Sequence, residues 1–393
     1  MSAPAGLNQE QIRSILSLYH LDEPEVCREI DLGGSSIAYR VLVGGTWYVL
    51  RLAERRRTFD MIFEKEVLLH LGTHGFAVPQ LVPNVAQGTF IPWSSRGRYV
   101  SLFTDSPGRA LGMFEIRPKH VGALAELLAK LHTLTLNFNR ERVAEQRAGE
   151  RQAKLLSRLQ RAVEKGRLPR RVARDVALLE AQVHRPSLAM DNGPKGGDAE
   201  PNALPNAVPN SAPNAVPGAD GGRRVGVGGV KSDPKANRVT AAPPEQPRCV
   251  LHGDLSIPSV RFLQDEIVAL VSFERAHTGP PLEDVARVLT QWCWVPTVEQ
   301  KGGPAGSFHK TRVNALLAGY ESVRPLSSVE RAMLPEVLRR QAVHTVIERL
   351  VQFELKRKKG ERYLDYRHAM QQLRAFLDGG AENLLAKSHI QSA

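Results

Sequence analysis

Apolar residues recur along this chain with two different periods, and the change comes near residue 106. Before it, short apolar or alternating runs at 27–30, 37–43, 47–52 and 99–103 predict strands, with Gly44-Gly45 as a hairpin turn between the second and third. Asn8 ahead of Gln9-Glu10-Gln11 predicts a capped helix through Ile12, Ile15 and Leu16 that ends by His20. A second helix is predicted over 59–71, closed by Gly72, Gly75 and Pro79. After Pro107-Gly108 the period becomes helical, and 118–134 sets Val121, Leu124, Leu127, Leu128, Leu131 and His132 along one face. Helical segments continue to about residue 184.

From residue 190 to 247 the character changes. Pro201-Asn202, Pro205-Asn206, Pro209-Asn210 and Pro213-Asn214 form a four-residue repeat, and Gly-rich low-complexity sequence follows. Such a segment cannot bury enough apolar surface to offset its ordering entropy, so a disordered insertion is predicted. Beyond it come a strand, a polar loop and a hairpin, then helices near 281–295, 310–322, 328–356 and 364–377. The expected organisation is a sheet lobe over 1–105, the first part of a helical lobe over 106–189, the insertion at 190–247, and the rest of the helical lobe over 248–393. In fold class this is α+β and bilobal, with a small antiparallel sheet lobe and a mostly helical second lobe.

The chain has 393 residues, 42% of them hydrophobic and 24% charged, the profile of a globular protein with a sizeable core. No apolar run is long enough for a membrane span, and the N-terminus lacks a basic-then-apolar signal, so a cytoplasmic location and no membrane partner are expected. Three cysteines, Cys27, Cys249 and Cys293, argue against a disulfide framework. The net charge of +12 is concentrated: residues 140–175 hold twelve Lys or Arg against five Asp or Glu. No aromatic interleaving accompanies them, so they are read as a solvated helix face and nucleic acid is not expected as a partner.

Three constellations carry chemistry. Gly33, Gly34 and Ser35 lie in a glycine turn between two predicted strands, where backbone N–H groups can approach phosphates. Arg51 on a predicted strand and Glu64 on the following helix have the placing of a cation and the carboxylate that holds it against nucleotide phosphates. The loop Val250-Leu251-His252-Gly253-Asp254-Leu255 sets Asp254, preceded by His252, where a kinase-type site orients the acceptor hydroxyl. Asp284 opens a later helix and is expected to cap it or tie the loop down. In such sites an Asn five residues beyond the loop Asp, and an Asp ending the next strand, hold magnesium. Ser259 and Ser272 occupy those places, with Glu274 two residues on as a conceivable substitute ligand.

Several stretches resemble a bacterial homoserine kinase of the aminoglycoside-phosphotransferase-like family, which has a protein-kinase-like fold. They are Tyr48-Val49-Leu50, residues 75–79, Ala129-Lys130-Leu131-His132, the His252 to Leu255 loop, Asp284-Val285-Ala286 with Gln291-Trp292-Cys293, residues 315–321, and Val323-Arg324-Pro325-Leu326. The similarity spans roughly 8–140 and 248–378. It implies ATP- and magnesium-dependent phosphorylation of the homoserine hydroxyl. The departures fall in the site: Ser259 and Ser272 at the metal positions, and Ser36 and Ala38 where two Asn residues are expected. Losing the main metal carboxylate costs several kcal/mol of transition-state stabilisation, on the order of a thousandfold in rate.

The leading expectation is therefore a phosphotransferase-fold protein with weak or lost catalysis, a pseudokinase that still takes ATP or a small metabolite, with magnesium argued against. An active kinase with a rearranged metal site of Asp254, Ser259 and Glu274, acting on a small hydroxyl metabolite such as homoserine, is the alternative. A third is an interaction protein that binds no ligand and acts through an unknown protein partner.

Overall fold

The first helix, α1 (Gln9–Ser17), starts in a reciprocal cap: Asn8 Oδ1 accepts from the Gln11 N–H at 2.8 Å, and Gln11 Oε1 accepts from the Asn8 N–H at 3.0 Å. The computed structural model describes residues 6–30, 36–53, 56–94, 97–136, 138, 145–184, 247–299, 303–355 and 366–377. All belong to one unit, residues 1–188 and 246–393. A second unit, 189–245, lies outside the described residues, as does the predicted insertion apart from Pro247.

Strands β1 (Val26–Ile30), β2 (Ile37–Val43), β3 (Thr46–Ala53), β4 (Ile91–Ser94) and β5 (Arg98–Thr104) form an antiparallel sheet in the order β1-β2-β3-β5-β4. Helix α2 (Thr58–Thr73) lies between β3 and β4 in the chain. Ile12, Ile15 and Leu16 of α1 join Tyr39, Val41, Leu50, Leu52, Val100 and Leu102 in one buried cluster. Each such side chain contributes roughly 1.5–3 kcal/mol. Strand β4 was not predicted, because it is short, carries Pro92 and pairs only at the sheet edge.

The second lobe is built from α3 (Pro118–Leu134), α4 (Glu145–Glu164), α5 (Arg170–Val183), β6 (Cys249–Leu251), β7 (Val260–Leu263), β8 (Glu266–Leu270), β9 (His277–Gly279) and α6 (Leu282–Trp292). It continues through β10 (Trp294–Glu299), β11 (Gly303–Phe308), α7 (Lys310–Glu321), α8 (Ser328–Leu350), a π-helical turn at Val351–Leu355, and α9 (Tyr366–Ala375). Strand β6 pairs with β9 and β7 with β8. Helices α3 and α7 pack backbone to backbone: a Cβ on Gly319 would lie 2.5 Å from the Gly122 carbonyl oxygen.

One expectation is corrected. The helix predicted at 281–295 stops at Trp292, and the chain turns into the β10–β11 hairpin. Trp294 and Val295 are strand formers, but β11 reads Gly-Pro-Ala-Gly-Ser-Phe, a sequence that signals a turn until Phe308 packs on Trp294 with ring centroids 4.9 Å apart. The basic segment becomes two helices, α4 and α5. Leu156, Leu159, Val172, Val176 and Leu179 are buried, whereas Arg158, Arg161, Arg171 and Arg174 are exposed. No helix among the described residues is long and apolar enough to cross a membrane.

Candidate active site

Strand β3 carries Arg51 inward, and α2 presents Glu64 to it. The two meet in a bidentate pair, Nη1–Oε1 at 2.7 Å and Nη2–Oε2 at 2.9 Å. Both are buried, and the guanidinium lies 4.7 Å from the centroid of the Phe103 ring. Burial alone would lower the Arg51 pKa, but the charge and hydrogen bonds of Glu64 outweigh it and hold it above its ordinary value. Arg56 adds a second cation, 3.7 Å from Glu64 Oε2. The glycine-turn residues Gly33, Gly34 and Ser35 lie outside the described residues. Ser36, just after them, donates its hydroxyl to Glu274 Oε2.

The loop after β6 is held from below. Asp284, at the start of α6, accepts from the His252 N–H at 2.6 Å and the Gly253 N–H at 3.1 Å. His132 of α3 approaches the same carboxylate at 3.6 Å, and its Nδ1 bonds the Tyr320 hydroxyl at 2.8 Å. Burial by itself would raise the Asp284 carboxyl. The facing His132 ring and the charge of Arg287 are among the groups that outweigh it and hold Asp284 at about 2. Trp292 Nε1–H donates to the Leu255 carbonyl at 3.0 Å and fixes the far side of the loop. His252 is fully buried: Nε2–H donates to the Val271 carbonyl at 2.9 Å, and Nδ1 accepts from the Asp254 N–H at 3.3 Å. Burial lowers its pKa, so the ring is neutral and acts from behind Asp254.

Gly253 has φ +76°, and a Cβ there would lie 2.3 Å from the Arg275 carbonyl oxygen. Gly253→Ala is therefore expected to cost at least about 1–3 kcal/mol from the backbone conformation, with the clash in addition. Chemical denaturation measures it, and an unchanged midpoint would show that the loop can shift.

Around Asp254 the structure places groups that are not a set of carboxylates. Arg275 Nε is 3.5 Å from Asp254 Oδ2, and its Nη1 is 4.0 Å from Glu348 Oε2 on α8. Ser259 is buried, with its hydroxyl donated to the Ser256 carbonyl at 2.6 Å. Ser272 stands at the end of the hairpin in the left-handed region, φ 70° and ψ 49°. Glu274 is buried beside it, and its carbonyl accepts from Arg56 Nη1. A cleft runs between the lobes, lined by Val49, Arg51, Phe103, Arg261, Val271 and Ser272 among others. Arg51, Glu64 and Ser272 thus line one cleft, whereas Glu274 and Asp254, which faces Arg275, are not among its lining residues. Sequence reasoning missed Arg56 and Arg275. The first is hidden in the run Arg55-Arg56-Arg57, which reads as a surface cluster, and the second has no pattern around it.

Comparison with known proteins gives the family and the fold. The model of the phosphotransferase enzyme family, APH, matches residues 26–215 and 222–326, more than half of the chain. The chain belongs to the phosphotransferase enzyme family. Homoserine kinases of Xanthobacter autotrophicus and Methylobacterium radiotolerans are each 38% identical to it, over 105 and 109 residues. These matches take in 27% and 28% of this chain and 30% and 32% of those proteins. The chain thus spans about a third of the length of the curated relatives it matches.

Among solved structures, an amicoumacin kinase in complex with AMP-PNP and Ca2+ is similar to this family member with TM-score 0.58 at 15% identity, covering 97% of this chain and 94% of that one. A microcompartment-associated aminopropanol kinase gives 0.57 at 14%, covering 96% and 100%. An aminoglycoside phosphotransferase of Alicyclobacillus acidocaldarius gives 0.53 at 13%, covering 99% and 97%. At these identities the likeness establishes the fold: this family member has the bilobal, kinase-like architecture, with a five-stranded antiparallel sheet lobe and a helical lobe.

Proposed function

We propose that this phosphotransferase-family protein is an ATP-dependent small-molecule kinase by descent, in which magnesium-dependent phosphoryl transfer is slow or lost while the cleft still takes a nucleotide. The state of the two metal positions carries this reading. Magnesium asks for octahedral oxygen donors and commonly takes one or two carboxylates beside the phosphates. Here Ser259 spends its hydroxyl hydrogen on a backbone carbonyl, and Ser272 supplies no charge. Asp254 faces the Arg275 guanidinium, and Glu274 accepts from Ser36. No group of three or more His, Cys, Asp or Glu side chains among the described residues could hold a metal ion. The strand-end position therefore lacks the carboxylate that magnesium commonly takes beside the phosphates.

A competing reading, a working kinase for a small hydroxyl metabolite such as homoserine, draws support from the intact Arg51–Glu64 pair and from the loop held by Asp284. Similarity over part of the chain to homoserine kinases makes homoserine the first acceptor to try. ATP consumption is the discriminating measurement, with homoserine and a panel of amino alcohols, for the wild type and Asp254→Asn. The expected result is background turnover in both. A wild-type rate near one per second, of the ordinary enzymatic order, that falls by about a hundredfold or more in Asp254→Asn overturns the proposal.

A further inference from the structure

Residues 152–184 line no part of the cleft, and the fold gives them a defined outer face. Helices α4 and α5 pack against each other across a short turn, and both pack against α8. Leu156, Leu159 and Ala162 of α4 are buried, as are Val172, Val176 and Leu179 of α5. A helix that buries one stripe leaves its charged residues on the opposite side. Lys154, Arg158, Arg161 and Lys165 recur at i, i+4, i+7 and i+11, which is one face, and all four are exposed. Arg167 in the turn and Arg170, Arg171 and Arg174 on α5 are exposed too.

This segment thus holds eight Lys or Arg, every one exposed, against three Asp or Glu. Of the three, Asp175 is already engaged by Arg374 at 2.9 Å and by the Tyr366 hydroxyl at 3.3 Å. The face keeps a positive charge that its own acidic groups do not cancel.

The remaining residues decide which anion it fits. The segment contains no Phe, Tyr or Trp, so the bases of a single strand find no platform to stack on. None of the exposed large apolar side chains among the described residues falls within it, so it has nothing to insert among lipid tails. Six of the eight cations are Arg, whose planar fork matches phosphate oxygens. Packed helices lie about 8–10 Å apart, close to the major-groove width of B-form DNA, about 12 Å.

We propose that this face binds duplex DNA through its phosphate backbone, without reading sequence. The cations of α4 and α5 pair with the phosphate rows bordering one major groove, and release of counterions drives the association. This binding is a second activity, independent of the state of the cleft and its metal positions.

Fluorescence anisotropy with a labelled DNA duplex of mixed sequence, about 20 base pairs long, tests it over a salt series. Wild-type affinity is expected to fall about a hundredfold between about 50 and 200 mM salt, as four phosphate contacts would give. The variant carrying Arg158→Gln, Arg161→Gln, Arg170→Gln and Arg174→Gln is expected to bind more than about tenfold more weakly at the lower salt, with a flatter salt dependence. All four sites are exposed, so its thermal unfolding should match that of the wild type. Arg13→Gln with Arg28→Gln, at exposed sites of the sheet lobe, is expected to leave binding unchanged. Unchanged affinity in the four-site variant overturns the proposal, because the binding would then belong to other cations. A wild type that ignores the duplex at about 50 mM salt, or whose affinity varies less than about threefold over the series, also overturns it and needs no variant. Tighter binding of an RNA duplex, or binding of phosphatidylserine vesicles without binding of the DNA, overturns the choice of partner.

Discussion

Replacing Asp284 with alanine is expected to cost on the order of 3–5 kcal/mol of stability, the range for removing one partner of a buried charged network. The carboxylate is 1% exposed and holds two consecutive main-chain N–H groups, those of His252 and Gly253. Without it both donors are buried and unsatisfied, and each such loss is worth about 1–3 kcal/mol. His132 would lose the group it faces at the same time. Asp284→Asn should fall between wild type and alanine, because one oxygen remains. Denaturant unfolding is the measurement, and a loss under about 1 kcal/mol for alanine would show that the loop is held by other contacts.

The same residue sets an acid limb. Its folded value of about 2 lies below the ordinary 3.8, so the ionised form is favoured by folding. That contribution, about 2 kcal/mol, is fully present above the unfolded value and is lost as pH falls from about 4 towards 2. Stability of Asp284→Asn should therefore vary less over this window than that of the wild type. Equal slopes in the two proteins would assign the acid limb to other carboxylates.

A second large effect is expected from repairing the metal positions. Ser272→Asp with Ser259→Asn returns one carboxylate and one neutral oxygen at the spacing the loop and hairpin already have. If their absence is what limits chemistry, magnesium-dependent ATP consumption should rise by up to about a thousandfold. Ser272 is well placed for the change: at φ 70° an Asp is better tolerated than most residues. Ser259 is fully buried, so Asn must find room there. The single variant Ser272→Asp is the safer probe, with a smaller gain in the same direction. No magnesium response in either variant would place the block elsewhere, with the Ser36–Glu274 tie first in line.

The sequence by itself determined most of the elements, though not β4 or the β10–β11 hairpin, and named most polar groups of the candidate site. Helix α1 follows from the Asn8 cap and the spacing of Ile12, Ile15 and Leu16. The segment 118–134 coincides with α3, because Pro at the first turn and one apolar face are local signals. His252, Gly253, Asp254 and Asp284 were legible from their short pattern and its distance from the next helix.

What the tertiary structure alone decided is who neutralises whom. Glu274 is two residues from Ser272, and strand alternation would have turned both to one face. The left-handed turn at Ser272 and the 3-10 turn at Phe273–Arg275 instead send Glu274 to Ser36 and Arg275 to Asp254. Those partners are 238 and 21 residues apart in the chain. Arg56 likewise reads as one of three neighbouring surface cations until the fold sets it, half-buried, against Glu64 and the Glu274 carbonyl. Charge pairing across a cleft depends on distances of a few ångströms between segments remote in sequence, because the interaction falls off with separation and strengthens with burial. No local pattern of residues encodes that.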